Sequence, residues 1–410
     1  MKRKDILFIG INFFPEPTGI GKYSGEMVEW LSKQGKEIEV ITGFPYYPYW
    51  KLDKKYNWYK KEVVFGSKVK VHRCPLYVPQ RPTGLNRIYQ ELSFFAFALP
   101  KVIFLSIKLK PKFIICIAPP FHLGLLGYIA KVLSGGKLFY HIQDLQIEAA
   151  KSLNMIKQEW LIRSLLRVEK FILSKSNFIS SIHPNMISEI KSKTTFEVGL
   201  LPNWTNLQLL YPIVEKTKLR EMYGFPLNKK IFLYSGSVGE KQGIELVFNF
   251  AKNFNTDDSI LFIVAGNGPY HSQLKETIQK EGIKNIIARN LVPTNELNTW
   301  LNLADYHLIF QRNETSNYLF PSKLVSILSV GGICIAFVPE TNKMGKMLID
   351  NEIGYVISEV DPIIIYQELT KIISTDSGKI QANSREFAIS NFNKEKILEN
   401  WVNQTLLTKK

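Results

Sequence analysis

Short apolar runs alternate along the chain with longer stretches in which apolar residues recur every three or four positions. Runs of four to six apolar residues bounded by turn formers read as buried strands, and the longer spacing reads as helices packed by one face. In the first half this predicts strands at 6–11, 37–42, 113–118, 137–142 and 178–182, with helices at about 20–34, 86–99, 121–134, 158–175 and 184–192. The pattern restarts after 200. Strands follow at 231–235, 260–265, 285–288, 306–310, 333–337 and 354–357, with helices at about 243–253, 269–281, 294–302, 321–330, 343–350 and 362–373. Pro202, Asn203, Tyr211 and Pro212 break the periodicity and mark a joint near 200–212. Such alternation predicts an α/β protein with two Rossmann-like, doubly wound parallel-sheet domains, 1–205 and 206–383, followed by a helical stretch at 384–410. Ligands of open parallel sheets bind beyond the carboxyl ends of the strands. Two sheets facing each other would place a site in the cleft between them.

Composition narrows the class. With 410 residues, 45% hydrophobic and 21% charged, the chain is an ordinary globular protein and not a disordered or low-complexity one. Cys74, Cys116 and Cys334 are scattered and odd in number, which fits a reducing compartment and neither a disulfide framework nor a zinc pattern. The formal charge of +16 is one-sided: residues 1–205 carry 30 basic and 15 acidic residues, and residues 206–410 carry 22 and 21. Residues 51–112 hold 14 basic and 3 acidic residues. Such an excess is either a solvated basic face or a field aimed at an anionic partner. Within it, the apolar runs 93–99 and 102–107 flank Pro100-Lys101 and are followed by Lys108, Lys110 and Lys112. This resembles an interfacial anchor on anionic lipid more than a nucleic-acid surface, the alternative being a core helix. Pro100-Lys101 interrupts the segment, which reads as too short to span a bilayer of about 20 residues. The start, Lys2-Arg3-Lys4 before an apolar run, lacks a small-residue cleavage site and reads as a first strand, not a leader.

Four turns carry candidate chemistry. Phe13-Phe14-Pro15-Glu16-Pro17-Thr18-Gly19-Ile20-Gly21 follows the first strand and opens a helix. Gly19 and Gly21 either let the backbone approach a phosphate at a helix N-terminus or only satisfy turn geometry. The run is not a dinucleotide fingerprint: the loop is long, and the second strand ends at Val40-Ile41-Thr42 with no acid for a ribose. In the second half, Tyr234-Ser235-Gly236-Ser237 leads through Lys241 into a helix, where Lys241 could neutralise a leaving diphosphate. Val264-Ala265-Gly266-Asn267-Gly268-Pro269 repeats the strand–glycine–helix plan, and Pro321-Ser322-Lys323-Leu324 begins another helix. Gln143 and Asp144 end a first-half strand, where an Asp is either a helix cap or a cleft carboxylate. There is no Asp-x-Asp metal–diphosphate motif, phosphate-binding P-loop, His-Glu-x-x-His or nucleophile elbow, so no metal is expected.

In this order, spread over residues 5–338, these blocks resemble glycosyltransferase family 4, the retaining GT-B-fold enzymes, and in particular the branch acting in colanic-acid-type exopolysaccharide assembly. Thr42-Gly43-Phe44-Pro45-Tyr46-Tyr47-Pro48, Gln143-Asp144-Leu145 and Pro202-Asn203-Trp204 add to the match. The resemblance implies a UDP- or GDP-sugar donor, a polyprenyl-diphosphate-linked saccharide acceptor and no metal or other cofactor. It implies donor contacts from Gly19, Gly21, Gln143, Gly236, Ser237, Gly266, Gly268, Ser322 and Ser326. Lys241 and Lys323 would stabilise the departing diphosphate, and Asp144 would face the transferred sugar. The last helix, within 384–410, would cross back onto the first domain. The family's Glu-x7-Glu carboxylates are replaced by Tyr318 and Ser326. That loss favours a second reading, a non-catalytic subunit that binds nucleotide sugar. A sugar-nucleotide epimerase is a further alternative, for which no proton-abstracting pair is legible. The resemblance alone implies retention, by front-face attack, at the cytoplasmic face of the membrane; no nucleophile–base pair is legible, so no essential side-chain nucleophile is expected.

Overall fold

The computed structural model describes residues 3–152, 155–156, 158–239, 245–254, 258–268, 270–310, 322–358 and 361–406. Unit 1 runs to Pro202 and takes back the chain from Lys396, and unit 2 is Asn203–Glu395.

Unit 1 is built on eight strands: β1 (Ile6–Ile9), β2 (Ile38–Gly43), β3 (Lys60–Val64), β4 (Val69–Cys74), β5 (Phe113–Ala118), β6 (Lys137–Ile142), β7 (Phe178–Ser181) and β8 (Val198–Leu200). Their order is β3-β4-β2-β1-β5-β6-β7-β8, parallel except for β3 against β4. Helices α1 (Gly19–Lys33), α2 (Gly84–Leu109), α3 (Leu123–Ser134), α4 (Gln146–Ser152), α5 (Glu159–Lys175) and α6 (Pro184–Lys191) connect them. β1, β2, β5 and β6 are apolar and buried because a parallel sheet is covered on both faces. β4 hides its polar residues by pairing them. His72 lies 2.6 Å from Glu39 Oε2, and the buried Arg73 donates to Glu62 Oε2 at 3.0 Å and to the Phe14 carbonyl. β3, an edge strand, alternates half-buried and exposed residues. The charges of β3 and β4 are why the apolar pattern missed both strands.

One helix departs from the expectation. α2 does not stop at 99 but continues through Pro100 to Leu109. Pro100 costs the helix one amide, at the Ala96 carbonyl, on the outward side where Ala96 and Pro100 are exposed. The inward stripe Phe94, Ala98, Val102 and Leu105 is buried. The segment is therefore long and apolar enough to cross a membrane by length and composition, which corrects its reading as too short and interrupted. Only 28% of its most apolar window is buried within the protein.

Unit 2 holds α7 (Lys216–Met222) and six parallel strands: β9 (Lys230–Ser235), β10 (Ile260–Ala265), β11 (Ile286–Arg289), β12 (Tyr306–Phe310), β13 (Ile333–Phe337) and β14 (Gly354–Ile357), in the order β11-β10-β9-β12-β13-β14. Between and after them come α8 (Glu245–Asn253), α9 (His271–Glu281), α10 (Leu297–Leu303), α11 (Ser322–Ser329), α12 (Lys343–Asp350), α13 (Pro362–Ser374) and α14 (Gly378–Asn391), and α15 (Lys394–Thr405) starts at the end of unit 2 and continues into unit 1. Alternate strand residues feed two cores. Ile231, Leu233, Ile263 and Ala336 enter one, and Phe232, Tyr234, Phe262 and Phe337 enter the other. This is the two-sided covering that the continuous apolar runs predict.

The stretch expected as a single helix from 384 is two helices, α14 and α15. α14 stays with unit 2: Arg385 donates to the Leu210 carbonyl at 2.9 Å and to that of Ser329, and Ala388 is buried. From Lys396 the chain belongs to unit 1, where Trp401 packs on Phe139 of β6 with ring centroids 5.0 Å apart. Leu398 and Trp401 are buried there. Trp401→Ala is expected to lower stability by about 3 kcal/mol, the usual loss for a large buried aromatic. Urea denaturation checks this, and an unchanged midpoint would show that α15 does not brace the β6 side.

Candidate functional site

In each unit the strand order reverses at one place. In unit 1 that is between β1 and β5, and in unit 2 between β9 and β12. Loops leaving such neighbouring strands diverge to opposite faces and open a crevice at the carboxyl ends.

At the unit 1 mouth, the loop after β1 turns on Glu16. This buried carboxylate accepts from Asn12 Nδ2 at 2.9 Å and from the amides of Tyr46 and Tyr47 at 3.1 and 3.0 Å. Burial pushes its carboxyl up to about 7, against those three donors and the charge of Arg73. Gly21 is what makes room for it: a Cβ there would lie 2.6 Å from Glu16 Oε2 and 2.7 Å from Glu16 Cβ. Gly19 has φ +61, a left-handed conformation that opens α1, with Tyr47 the only side chain near its missing Cβ, at 3.7 Å.

The loops after β5 and β6 supply the rest of this mouth. The Gln143 amide donates to the Ala118 carbonyl at 2.8 Å, which joins the two strand ends, and Gln143 and Asp144 are half-buried. Gln146, at the start of α4, accepts from the Phe121 amide at 2.9 Å and donates to Glu91 Oε1 of α2 at 3.0 Å. Burial pushes the Glu91 carboxyl up to about 7; Gln146 and Arg87 oppose the rise, and the charge of Asp144 adds to it. His122 hydrogen-bonds the Glu91 backbone, its Nε2 is buried without a hydrogen-bond partner, and burial depresses its pKa. Asp144 is thus one of a group with Glu91, Gln146 and His122. The sequence held two overlooked signals. Glu16 stands between two prolines in the glycine loop, and Glu91 is the lone acid between 81 and 112.

At the unit 2 mouth, Gly236, Ser237, Gly266 and Gly268 come together. The Gly236 amide donates to the Ala265 carbonyl and the Val238 amide to the Asn267 carbonyl, both at 3.0 Å. A Cβ on Gly266 would lie 1.8 Å from the Gly236 oxygen, and one on Gly268 would lie 2.1 Å from the Val238 oxygen. The close approach that these glycines allow is thus between the two loops themselves. Gly236, at φ +145, faces Lys323: its Cβ would lie 3.8 Å from Lys323 Nζ. That ammonium stands 3.6 Å from the Tyr234 ring centroid, and the Tyr234 hydroxyl donates to the Ser237 carbonyl at 2.6 Å. Ser237 is exposed, and Ser326 is half-buried one turn beyond Lys323 on α11. Ser322 begins α11, but its side chain, like all of Lys241, lies outside the described residues. Among the described residues, no group of three or more His, Cys, Asp or Glu could hold a metal ion.

Comparison with known proteins follows this geometry. Residues 215–390 match the family model described as glycosyl transferases group 1. The chain is 34% identical over 351 residues to a protein named as the colanic acid biosynthesis glycosyl transferase WcaI of Escherichia coli (strain K12), covering 83% of this chain and 85% of that one. Sucrose-phosphate synthase of Thermosynechococcus elongatus superposes with TM-score 0.74 at 16% identity over 98% of both chains. Anabaena HepE, solved in complex with UDP and glucose, superposes with TM-score 0.70 at 13% identity over 99% of this chain and 100% of that one. Both share the GT-B fold with this chain, two Rossmann-like domains with parallel sheets.

Glu16 gives this site a pH signature. Its folded pKa lies above the unfolded value of 4.5, so the native state binds more protons and stability falls as pH rises from 4.5 through about 7. Replacing it with Gln removes the titration. Relative to Glu16→Gln, the wild type is expected to lose about 3 kcal/mol between pH 4.5 and 7.5. Denaturation midpoints across that range check it, and parallel curves for the two proteins would refute it.

Proposed function

The chain belongs to the group 1 glycosyl transferases, and on that premise we propose that it transfers a sugar from a UDP- or GDP-sugar to a polyprenyl-diphosphate-linked saccharide during assembly of a bacterial surface polysaccharide. What supports the donor assignment is the mouth of unit 2, where two glycine loops meet the buried Lys323 Nζ, which has no hydrogen-bond partner among the described residues. The UDP and glucose bound to HepE, and the colanic acid pathway for which WcaI is named, agree with that choice.

The reaction breaks the bond between the anomeric carbon and the donor phosphate oxygen. Negative charge grows on the leaving diphosphate, and fixed donors that meet it there lower the barrier. Lys241, Lys323 and Ser322 take this role, with Ser326, Ser237 and the turns at Gly236, Gly266 and Gly268 around the nucleotide. In unit 1, Gly19 and Gly21 border the donor, while Asp144 and Gln143 orient the sugar and the acceptor hydroxyl. The acceptor oxygen attacks the face that the phosphate leaves, and its proton passes to the departing phosphate oxygen. Configuration is retained, no side chain is glycosylated, and no step calls on a metal.

The lipid-linked acceptor requires a place at a membrane. The outward side of α2 carries Leu85, Ile88, Tyr89, Leu92, Ile103, Phe104 and Ile107, all exposed. They form an apolar stripe roughly 33 Å long at 1.5 Å per residue. Arg87 and Lys108 are exposed beside it, as is Lys110 just beyond. The opposite stripe is packed on unit 1, which supports a helix lying in the interface of an anionic bilayer rather than across it. On this reading the protein works on the cytoplasmic face of the membrane, and its three free, buried cysteines support a reducing compartment.

Incubation with a panel of UDP- and GDP-sugars is expected to release nucleoside diphosphate from one donor, equally with and without EDTA. Lys241→Ala should cut that release by about two orders of magnitude. Near-wild-type turnover would sink its assignment, and nucleotide binding without any release would favour the non-catalytic subunit. The protein should also float with vesicles containing anionic lipid at low salt and less so at high salt. Phe104→Asp with Ile107→Asp should abolish flotation while leaving the circular dichroism unchanged, and retained flotation would exclude α2 as the contact.

A further inference from the structure

Arg87 has no ion pair and no hydrogen bond among the described residues; what holds its guanidinium is a ring. Its Cζ lies 5.1 Å from the centroid of Trp50. Stacking of this kind uses none of the N–H donors, so the planar fork stays open to a ligand. Arg87 is on the same side of α2 as Glu91 and the buried Phe94, yet it is exposed, near the start of the helix. Glu91, one turn on, would be its natural partner. Its Oε1 instead accepts from Gln146 at 3.0 Å, and it forms no ion pair with Arg87.

The ring under the guanidinium is itself held in an unusual way. Trp50 has φ +52, a left-handed conformation that bulky residues rarely adopt. The rings of Tyr46 and Tyr47 lie 5.3 and 6.4 Å from it, and the amides of both residues donate to Glu16. Backbone over-determined by its neighbours in this manner clusters at ligand-binding positions. Tyr47 also borders the glycine loop, 3.7 Å from where a Gly19 Cβ would be. A run of contacts thus leads from Gly19 through Tyr47 and Trp50 to Arg87.

The surroundings of Arg87 say what it would take. The next residue, Ile88, points about 100° round the helix and is exposed in the apolar stripe of α2. One turn on, Glu91 joins Gln146, which accepts from the Phe121 amide at the mouth of unit 1. A ligand on Arg87 therefore lies between an apolar surface and that mouth. A saccharide alone would leave the cation unanswered, and a phospholipid headgroup has nothing to offer the mouth. A lipid diphosphate that carries a sugar meets both demands, and its phosphate oxygens match the planar fork.

We infer that Arg87, stacked on Trp50, binds the diphosphate of the lipid-linked acceptor, with the lipid chain towards Ile88 and the sugar towards Glu91. This deepens the acceptor reading above and rests on it. Arg87 would then set how far the saccharide reaches into the mouth.

Flotation of the full chain at increasing lipid concentration tests this. One set of phosphatidylcholine vesicles carries undecaprenyl diphosphate, and a second carries phosphatidylglycerol at the same total negative charge. The wild type is expected to bind the first at least tenfold more tightly. Arg87→Gln and Trp50→Leu should bring the two affinities together. Arg87→Lys, a point charge without the fork, should keep only part of the preference. An excess of UDP should leave it unchanged. Equal binding of both vesicles by the wild type would overturn the proposal, since Arg87 then answers only surface charge. A preference that UDP removes would also overturn it. So would one that survives in Arg87→Gln while the melting temperature falls, which would make the stacking a loop clamp. Binding of neither vesicle would bring down the membrane-bound acceptor reading itself, a distinguishable result.

Discussion

A parallel sheet with helices on both faces leaves only its ends free for chemistry, and both units obey that constraint. The strand residues of unit 2 are divided between two apolar cores, so none can reach a ligand from within the sheet. What remains is the set of loops at the carboxyl ends, where amides point outward and strand order reverses. Every candidate group described above sits in such a loop or in the first turns of a helix beside it. Glu91 is the exception: it reaches the mouth of unit 1 from the third turn of α2.

The glycines of the two mouths differ in what they make possible. In unit 1, Gly21 gives way to a single side chain, and the buried Glu16 then ties the loop after β1 to the backbone at Tyr46 and Tyr47. In unit 2, Gly266 and Gly268 give way to another loop's backbone, so two turns become one surface. One arrangement stores a titratable proton inside the loop. The other uses its glycines to bring two turns together beside Lys323.

Much of this was legible from apolar periodicity, because strands buried on both faces are written as uninterrupted apolar runs. Strands β5, β6, β10, β12, β13 and β14 fall on their predicted residues for that reason. Where burial was achieved by pairing charges, the pattern was silent: β4 hides Arg73 and His72 against Glu62 and Glu39. Proline misled in α2, since Pro100 sits on an exposed face and removes an amide without ending the helix. The glycine turns were readable as motifs. Their partners were not, because the contact of Glu91 with Gln146, or of Lys323 with Tyr234, joins residues far apart in the chain.

The return of the chain to unit 1 at Lys396 has a consequence for biosynthesis. The helix that covers Phe139 is made only after all of unit 2, residues 203–395, has been made. At about 5–20 residues per second, that interval is roughly 10–40 s. Throughout it, the first 202 residues must keep an unfinished β6 side from sticking to anything else. The last part of unit 1 to close is therefore timed by the translation of its neighbour, and a ribosome that stalls within unit 2 leaves behind a first unit whose β6 flank is still bare.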